Sequence, residues 1–131
     1  MRKGTYMVFL DTHAFILFHQ GNRNFLSESA IRIFDEAESL FISPIVLLET
    51  QYLAEIGRIR YGADTIFEQM SAAFGVRIEE DQYVQATRKA ISFSWTRDPF
   101  DRIITAHASL FGAVLLTKDA TIRLNYPRAV W

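Results

Sequence analysis

Tyr6-Met7-Val8-Phe9-Leu10-Asp11-Thr12-His13-Ala14-Phe15-Ile16-Leu17-Phe18-His19-Gln20-Gly21 is the stretch from which the fold is read. Its first five residues form an unbroken apolar run halted by an acid, the pattern of a short strand buried on both faces. Thr12 to His19 then reads as a helix that Gly21 closes. The run from Tyr6 to Phe18 is strongly apolar, but Asp11 and His13 interrupt it and it falls short of the ~20 residues that a membrane span requires. Arg2 and Lys3 imitate the start of a signal peptide, yet Asp11 breaks the apolar region and no small-residue cleavage site follows. The expectation is a soluble, cytoplasmic protein without a membrane partner.

The same strand-then-helix alternation continues downstream. Ser27 caps a helix whose apolar residues Ile31, Phe34 and Ala37 recur at helical spacing, and Leu40 to Ile42 forms a second strand. Ser43-Pro44 reads as a cap followed by proline in the first turn of a helix reaching about Ile59, with Gly62 in its end region. Asp64 opens a helix with Ile66, Phe67, Met70 and Phe74 on its apolar face, closed by Gly75 before a third strand, Val76 to Ile78. Asp81 to Trp95 reads as helical, and Asp98-Pro99 starts a helix reaching Phe111. Gly112 separates that helix from the strand Ala113 to Leu116, and Asp119 opens a short helical segment. Ala129 to Trp131 adds an edge strand, which tolerates Pro127 at its start. Strands alternating with helices imply an α/β fold with a mostly parallel sheet covered on both faces, over a single domain spanning residues 1–131. In such sheets ligands bind beyond the carboxyl ends of the strands.

Composition excludes several functions. With 14 basic and 15 acidic residues there is no global basic field, so any nucleic-acid contact rests on local groups. The absence of cysteine rules out a disulfide framework, a thiolate zinc site and a cysteine nucleophile.

The acids carry the chemistry. Asp11 directly follows the first strand and Asp119 closely follows the last predicted inner one, each before a helix, and Asp101 lies in Asp98-Pro99-Phe100-Asp101-Arg102. Each has a competing structural role: Asp11, Asp98 and Asp119 as helix caps, Asp101 as a capping-box partner. Asp98 suits the cap best. Glu49 stands among Ile45, Val46, Tyr52 and Leu53 at helical spacing, and a carboxylate in an apolar stripe needs either an arginine, such as Arg58 or Arg60, or a metal. Asp11, Asp101, Asp119 and Glu49 all belong near one sheet edge. Two like charges ~4 Å apart repel by about 1 kcal/mol in water and roughly 4 at a protein-like dielectric, so such a group calls for a cation. An all-oxygen set suits Mg²⁺ or Mn²⁺ rather than zinc or copper. His13, His19 and His107 are scattered in the helical pattern and read as core or surface residues.

Four segments together carry a resemblance: Phe9-Leu10-Asp11-Thr12-His13-Ala14, Ser43-Pro44-Ile45-Val46-Leu47-Leu48-Glu49, the run from Asp98 to Ala108, and Leu115-Leu116-Thr117-Lys118-Asp119. In order and spacing the chain resembles the PIN domains, and within them the VapC-type toxins of toxin–antitoxin pairs. The resemblance implies a three-layer α/β/α sandwich and Mg²⁺- or Mn²⁺-dependent endoribonuclease activity on RNA, inhibited by a cognate antitoxin. Asp11, Glu49, Asp101 and Asp119 match the family's acidic quartet; Thr117 matches a hydroxyl near the last acid, and Asp98 and Arg102 match flanking positions. Leu48 stands where many relatives carry tryptophan. Asp11, Asp101 and Asp119 are thereby expected to hold one or two ions, with Glu49 ligating a second or orienting the attacking water. Lys118, Arg102 and Arg123 are candidate contacts for the RNA backbone. The 11 phenylalanines suggest a homodimer face or an antitoxin groove.

Other readings compete. A haloacid-dehalogenase-like phosphatase needs a second aspartate where this chain has His13. A receiver-like domain would use acids after a central strand, and the third strand here runs into Glu79-Glu80-Asp81. A non-cleaving RNA- or partner-binding module on the same fold would keep the architecture without binding Mn²⁺.

Overall fold

The computed structural model describes residues 6–131, and Arg2 and Lys3 lie outside the described residues. In chain order the elements are β1 (Met7–Leu10), α1 (Thr12–Gln20), α2 (Glu28–Glu36), β2 (Ser39–Ile42), α3 (Ile45–Glu55), α4 (Ala63–Phe74), β3 (Arg77–Ile78), α5 (Tyr83–Ala90), α6 (Pro99–Leu110), β4 (Val114–Leu116), α7 (Ala120–Asn125) and β5 (Ala129–Val130). A 3-10 turn at Arg23–Phe25 joins α1 to α2. The five strands form one sheet in the order β3-β2-β1-β4-β5, with every pairing parallel. Helices cover the sheet to give the expected three-layer α/β/α sandwich.

The apolar runs explain the centre. Val8, Phe9, Leu10, Leu115 and Leu116 are completely buried, because β1 and β4 are middle strands with both faces covered. Fully burying each such side chain contributes roughly 1.5–3 kcal/mol. Phe18 stacks on Phe34 at 4.0 Å between ring centroids, fastening α1 to α2. Among the described residues no helix is long and apolar enough to cross a membrane.

Three boundaries differ from the reading of the sequence. Helix α3 stops at Glu55 rather than near Ile59, because Gly57 turns the chain with φ of 79° and Gly62 sits at the start of α4 instead of closing α3. Helix α5 covers only Tyr83–Ala90 of the predicted run from Asp81 to Trp95. Its end follows from Ser92, whose hydroxyl bonds back to the carbonyl of Lys89. Ser43 does not cap α3: Pro44 occupies the cap position without a side-chain bond, and the Ser43 hydroxyl is directed to His107.

Strand order reverses at β1, since β2 lies on one side of it and β4 on the other. The crevice outside the carboxyl ends of such neighbouring strands is where open α/β sheets bind ligands. Asp11 follows β1 there, and Thr117 and Asp119 follow β4.

Candidate active site

A cavity of about 570 Å³ opens at this edge, lined by Asp11, Glu49, Asp98, Asp101 and Asp119 together with His13, Arg58 and Lys118. Four different elements deliver the acids. Asp11 comes from the end of β1, Glu49 from the second turn of α3, Asp98 and Asp101 from the start of α6, and Asp119 from the start of α7.

Asp11 is 5% exposed, and its Oδ1 accepts the backbone N–H of Ala14 at 2.8 Å. It is therefore a cap as well as a cavity acid, its second oxygen free of that duty. Burial raises its carboxyl from 3.8 to about 6, against the hydroxyl of Thr117, the Ala14 amide and His13, with Glu49 adding to the rise. Asp119 repeats the design: Oδ1 accepts from Ile122 N–H at 2.8 Å, and its own N–H donates to Thr117 Oγ1 at 3.0 Å. Thr117 is fully buried between the two acids in sequence and in space. Asp98 caps α6 by accepting from Phe100 N–H at 2.9 Å and Asp101 N–H at 3.1 Å, as its sequence context predicts.

Glu49 is half-buried and accepts a hydrogen bond from the Thr12 hydroxyl. Burial raises its carboxyl above the ordinary value, opposed by Thr12 and His13 and reinforced by Asp98. Among the described residues neither Arg58 nor Arg60 pairs with it. Arg58 instead lines the cavity wall.

Asp101 differs from the other acids in having no hydrogen-bond donor on its carboxylate among the described residues. Burial, followed by repulsion from Asp98, Asp119, Glu49 and Asp11, pushes its carboxyl from 3.8 to about 7. All four other acids of the cavity are thus electrostatic neighbours of Asp101. The convergence is not a finished cage: among the described residues no three His, Asp or Glu side chains are already gathered around a common point. A cavity with five carboxylates, no thiolate and an uncompensated Asp101 fits a hard divalent cation with oxygen ligands.

Of the three proposed backbone contacts, Lys118 lines the cavity, whereas Arg102 donates through Nε to the carbonyl of Thr96 at 2.8 Å and Arg123 donates to the carbonyl of Lys118 at 3.2 Å. His13 and Arg58, which line the cavity, and Thr12, which reaches it through Glu49, were not singled out from the sequence as site residues. For Thr12 and His13 the available signal was position, the first turn after Asp11; for Arg58 only tertiary folding supplies it.

An α/β/α sandwich with a carboxylate-lined crevice at the β1/β4 switch defines the class, and the PIN domain profile matches residues 8–125. The chain belongs to the PIN domain family. It is 34% identical over 107 residues to Ribonuclease VapC22 of Mycobacterium tuberculosis, an alignment covering 80% of this chain and 82% of that protein. Among solved structures, PAE2754 from Pyrobaculum aerophilum superposes with a TM-score of 0.62 at 18% identity, covering 96% of this chain and 89% of the other. FitAcB from Neisseria gonorrhoeae superposes with a TM-score of 0.55 at 18% identity, covering 95% and 96%. These two likenesses speak to the fold.

Proposed function

We propose that this chain is a divalent-metal-dependent endoribonuclease, the toxin of a toxin–antitoxin pair, acting through Asp11, Glu49, Asp101 and Asp119. The observation that carries the reading is Asp101: a half-buried carboxylate facing four others, without a hydrogen-bond donor or ion-pair partner among the described residues. The kinship to a protein named a ribonuclease supports RNA as the substrate.

In this reading Asp11, Asp101 and Asp119 would hold Mg²⁺ or Mn²⁺, which would supply charge neutralisation at the scissile phosphate and activation of the attacking water. The protein's own groups do the rest. Capping bonds engage Oδ1 of Asp11 and of Asp119 and hold both carboxylates at the cavity. Thr12 orients Glu49, whose elevated carboxyl suits it to take a proton from the attacking water. Lys118 and Arg58 contact the phosphate backbone from the cavity wall.

An antitoxin and a second copy of the chain are the proposed protein partners. Exposed apolar side chains Leu48 and Tyr52 of α3 and Ile56 at its C-terminal end recur every four residues, one row on one face of the helix that carries Glu49. The phenylalanines contribute less to such a surface, since Phe9, Phe15, Phe18 and Phe34 are spent in the core.

The test is cleavage of a mixed RNA by wild type, Asp11→Asn and Asp101→Asn, with Mn²⁺ binding followed by calorimetry. Each variant is expected to lose at least 100-fold in rate and to bind Mn²⁺ more weakly, and EDTA to abolish cleavage by wild type. Undiminished cleavage by Asp11→Asn would overturn the assignment. Absence of Mn²⁺ binding by wild type would favour the non-cleaving module.

A further inference from the structure

Asp11, Ser43, Glu79 and Thr117 each stand one residue beyond a strand, after β1, β2, β3 and β4 respectively, and all four are buried. A polar row thus runs along the carboxyl edge of the sheet. Asp11 and Thr117 belong to the carboxylate site, but Ser43 and Glu79 are joined to each other through His107 of α6. His107 Nδ1 lies 2.8 Å from Ser43 Oγ and Nε2 lies 2.7 Å from Glu79 Oε1. A carboxylate only accepts, so Nε2 carries the hydrogen and Nδ1 accepts from the serine hydroxyl. Both ring nitrogens of a neutral imidazole are then satisfied. Glu79 is held in turn by the backbone N–H groups of Gln82 at 3.0 Å and Asp81 at 3.2 Å.

Acid, imidazole and hydroxyl in this order resemble a nucleophile triad, but Ser43 and His107 are both 0% exposed. No substrate reaches that hydroxyl. What the network does reach is the machinery on either side. The Ser43 carbonyl accepts from Val46 N–H at 3.0 Å in the first turn of α3, the helix that carries Glu49. Glu79 N–H donates to the Ile42 carbonyl at 3.0 Å, closing the β2 and β3 ends together. His107 lies six residues after Asp101 on α6, about 9 Å along the helix axis. Helices α3 and α6 pack on each other, yet the other buried hydroxyls on them, Thr50 beside Glu49 and Thr105 one turn past Asp101, have no hydrogen-bond partner and do not lock them.

We propose that His107 is a positioning residue: by tying Ser43 and Glu79 to α6 it fixes α3 against α6 and so sets where Glu49 stands relative to Asp101 across the cavity. The consequence for metal binding rests on the function proposed above; the positioning itself does not.

The experiment compares wild type with His107→Leu, which removes both hydrogen bonds, and His107→Gln, whose amide offers one donor and one acceptor to the same partners. Backbone residual dipolar couplings of the whole protein read the orientation of α3 relative to α6; calorimetry with Mn²⁺ alone reads the site; RNA cleavage separates kcat from KM. For folded His107→Leu the expected result is a changed or broadened α3–α6 orientation, Mn²⁺ binding about 10-fold weaker and kcat about 10-fold lower with KM little changed. His107→Gln is expected within threefold of wild type. A folded His107→Leu that keeps the wild-type orientation and Mn²⁺ affinity overturns the proposal even if its melting temperature falls, and so does a folded His107→Gln that rescues nothing. Should His107→Leu not fold, Ser43→Ala takes its place, with an altered α3 orientation and about threefold weaker Mn²⁺ binding expected and wild-type behaviour overturning the idea. If wild type itself binds no Mn²⁺, the metal reading fails while the couplings still decide the role of His107.

Discussion

Asp101 concentrates the cost of building the cavity. Its carboxyl is pushed to about 7 from 3.8, first by burial and then by four neighbouring acids, so between those values the folded chain binds a proton that the unfolded chain has lost. Stability contributed by this group is therefore full below about pH 4 and lost as pH rises through about 7. Urea unfolding of the metal-free protein should show wild type losing stability relative to Asp101→Asn between pH 5 and pH 8, so that the variant is the more stable of the two at pH 8. If Asp101 ligates a cation as proposed, the same proton leaves on binding. Mn²⁺ affinity is expected to rise by up to about 10-fold per pH unit between about 6 and 7, more steeply below about 6 where Asp11 is protonated as well, and to flatten above about 7.

At the level of elements, three acids, Asp11, Asp98 and Asp119, serve both a helix and the cavity, and the two duties are separable by substitution. Asp119 Oδ1 accepts the Ile122 N–H that opens α7, a bond that asparagine also makes. Asp119→Asn should leave the unfolding free energy within ~0.5 kcal/mol of wild type, whereas Asp119→Ala should cost about 1 kcal/mol in urea melts. Both variants are expected to lose cleavage and Mn²⁺ affinity, because the charge is gone from each. Equal stability of the two would show that the cap contributes nothing measurable. Glu49 carries no such dual role: it lies in the middle of α3, and its partner Thr12 comes from a different helix.

For the whole molecule, a formal charge of −1 means that the proposed attraction to RNA would come from a few local cations rather than from the protein's overall field. Lys118 and Arg58 are the cations of the cavity wall. Two phosphate contacts to single-stranded RNA give a log–log salt slope near −1.4, so raising salt from about 50 to 200 mM should weaken RNA binding only about sevenfold. Lys118→Ala should reduce that slope by about 0.7, measured by fluorescence anisotropy with a non-cleavable oligonucleotide. An unchanged slope would remove Lys118 from the interface.

The sequence by itself determined the alternation of strand and helix, since unbroken apolar runs, caps and closing glycines are local signals that survive any packing. Asp11 and Asp119 were legible for the same reason, each standing between a strand and the helix that follows it, and Asp98 was legible as a cap. Where α3 ends was not, because Gly57 and Gly62 are both permissive and only the turn into α4 decides which one halts the helix. Nor was the fate of Ser43, whose hydroxyl had a local use as a cap and found a partner 64 residues away in His107. The strand order β3-β2-β1-β4-β5, the gathering of five acids from four elements around one cavity, and the isolation of Asp101 within it belong to the tertiary structure alone. Burial and charge–charge repulsion depend on distances through space, and residue spacing along the chain does not contain them.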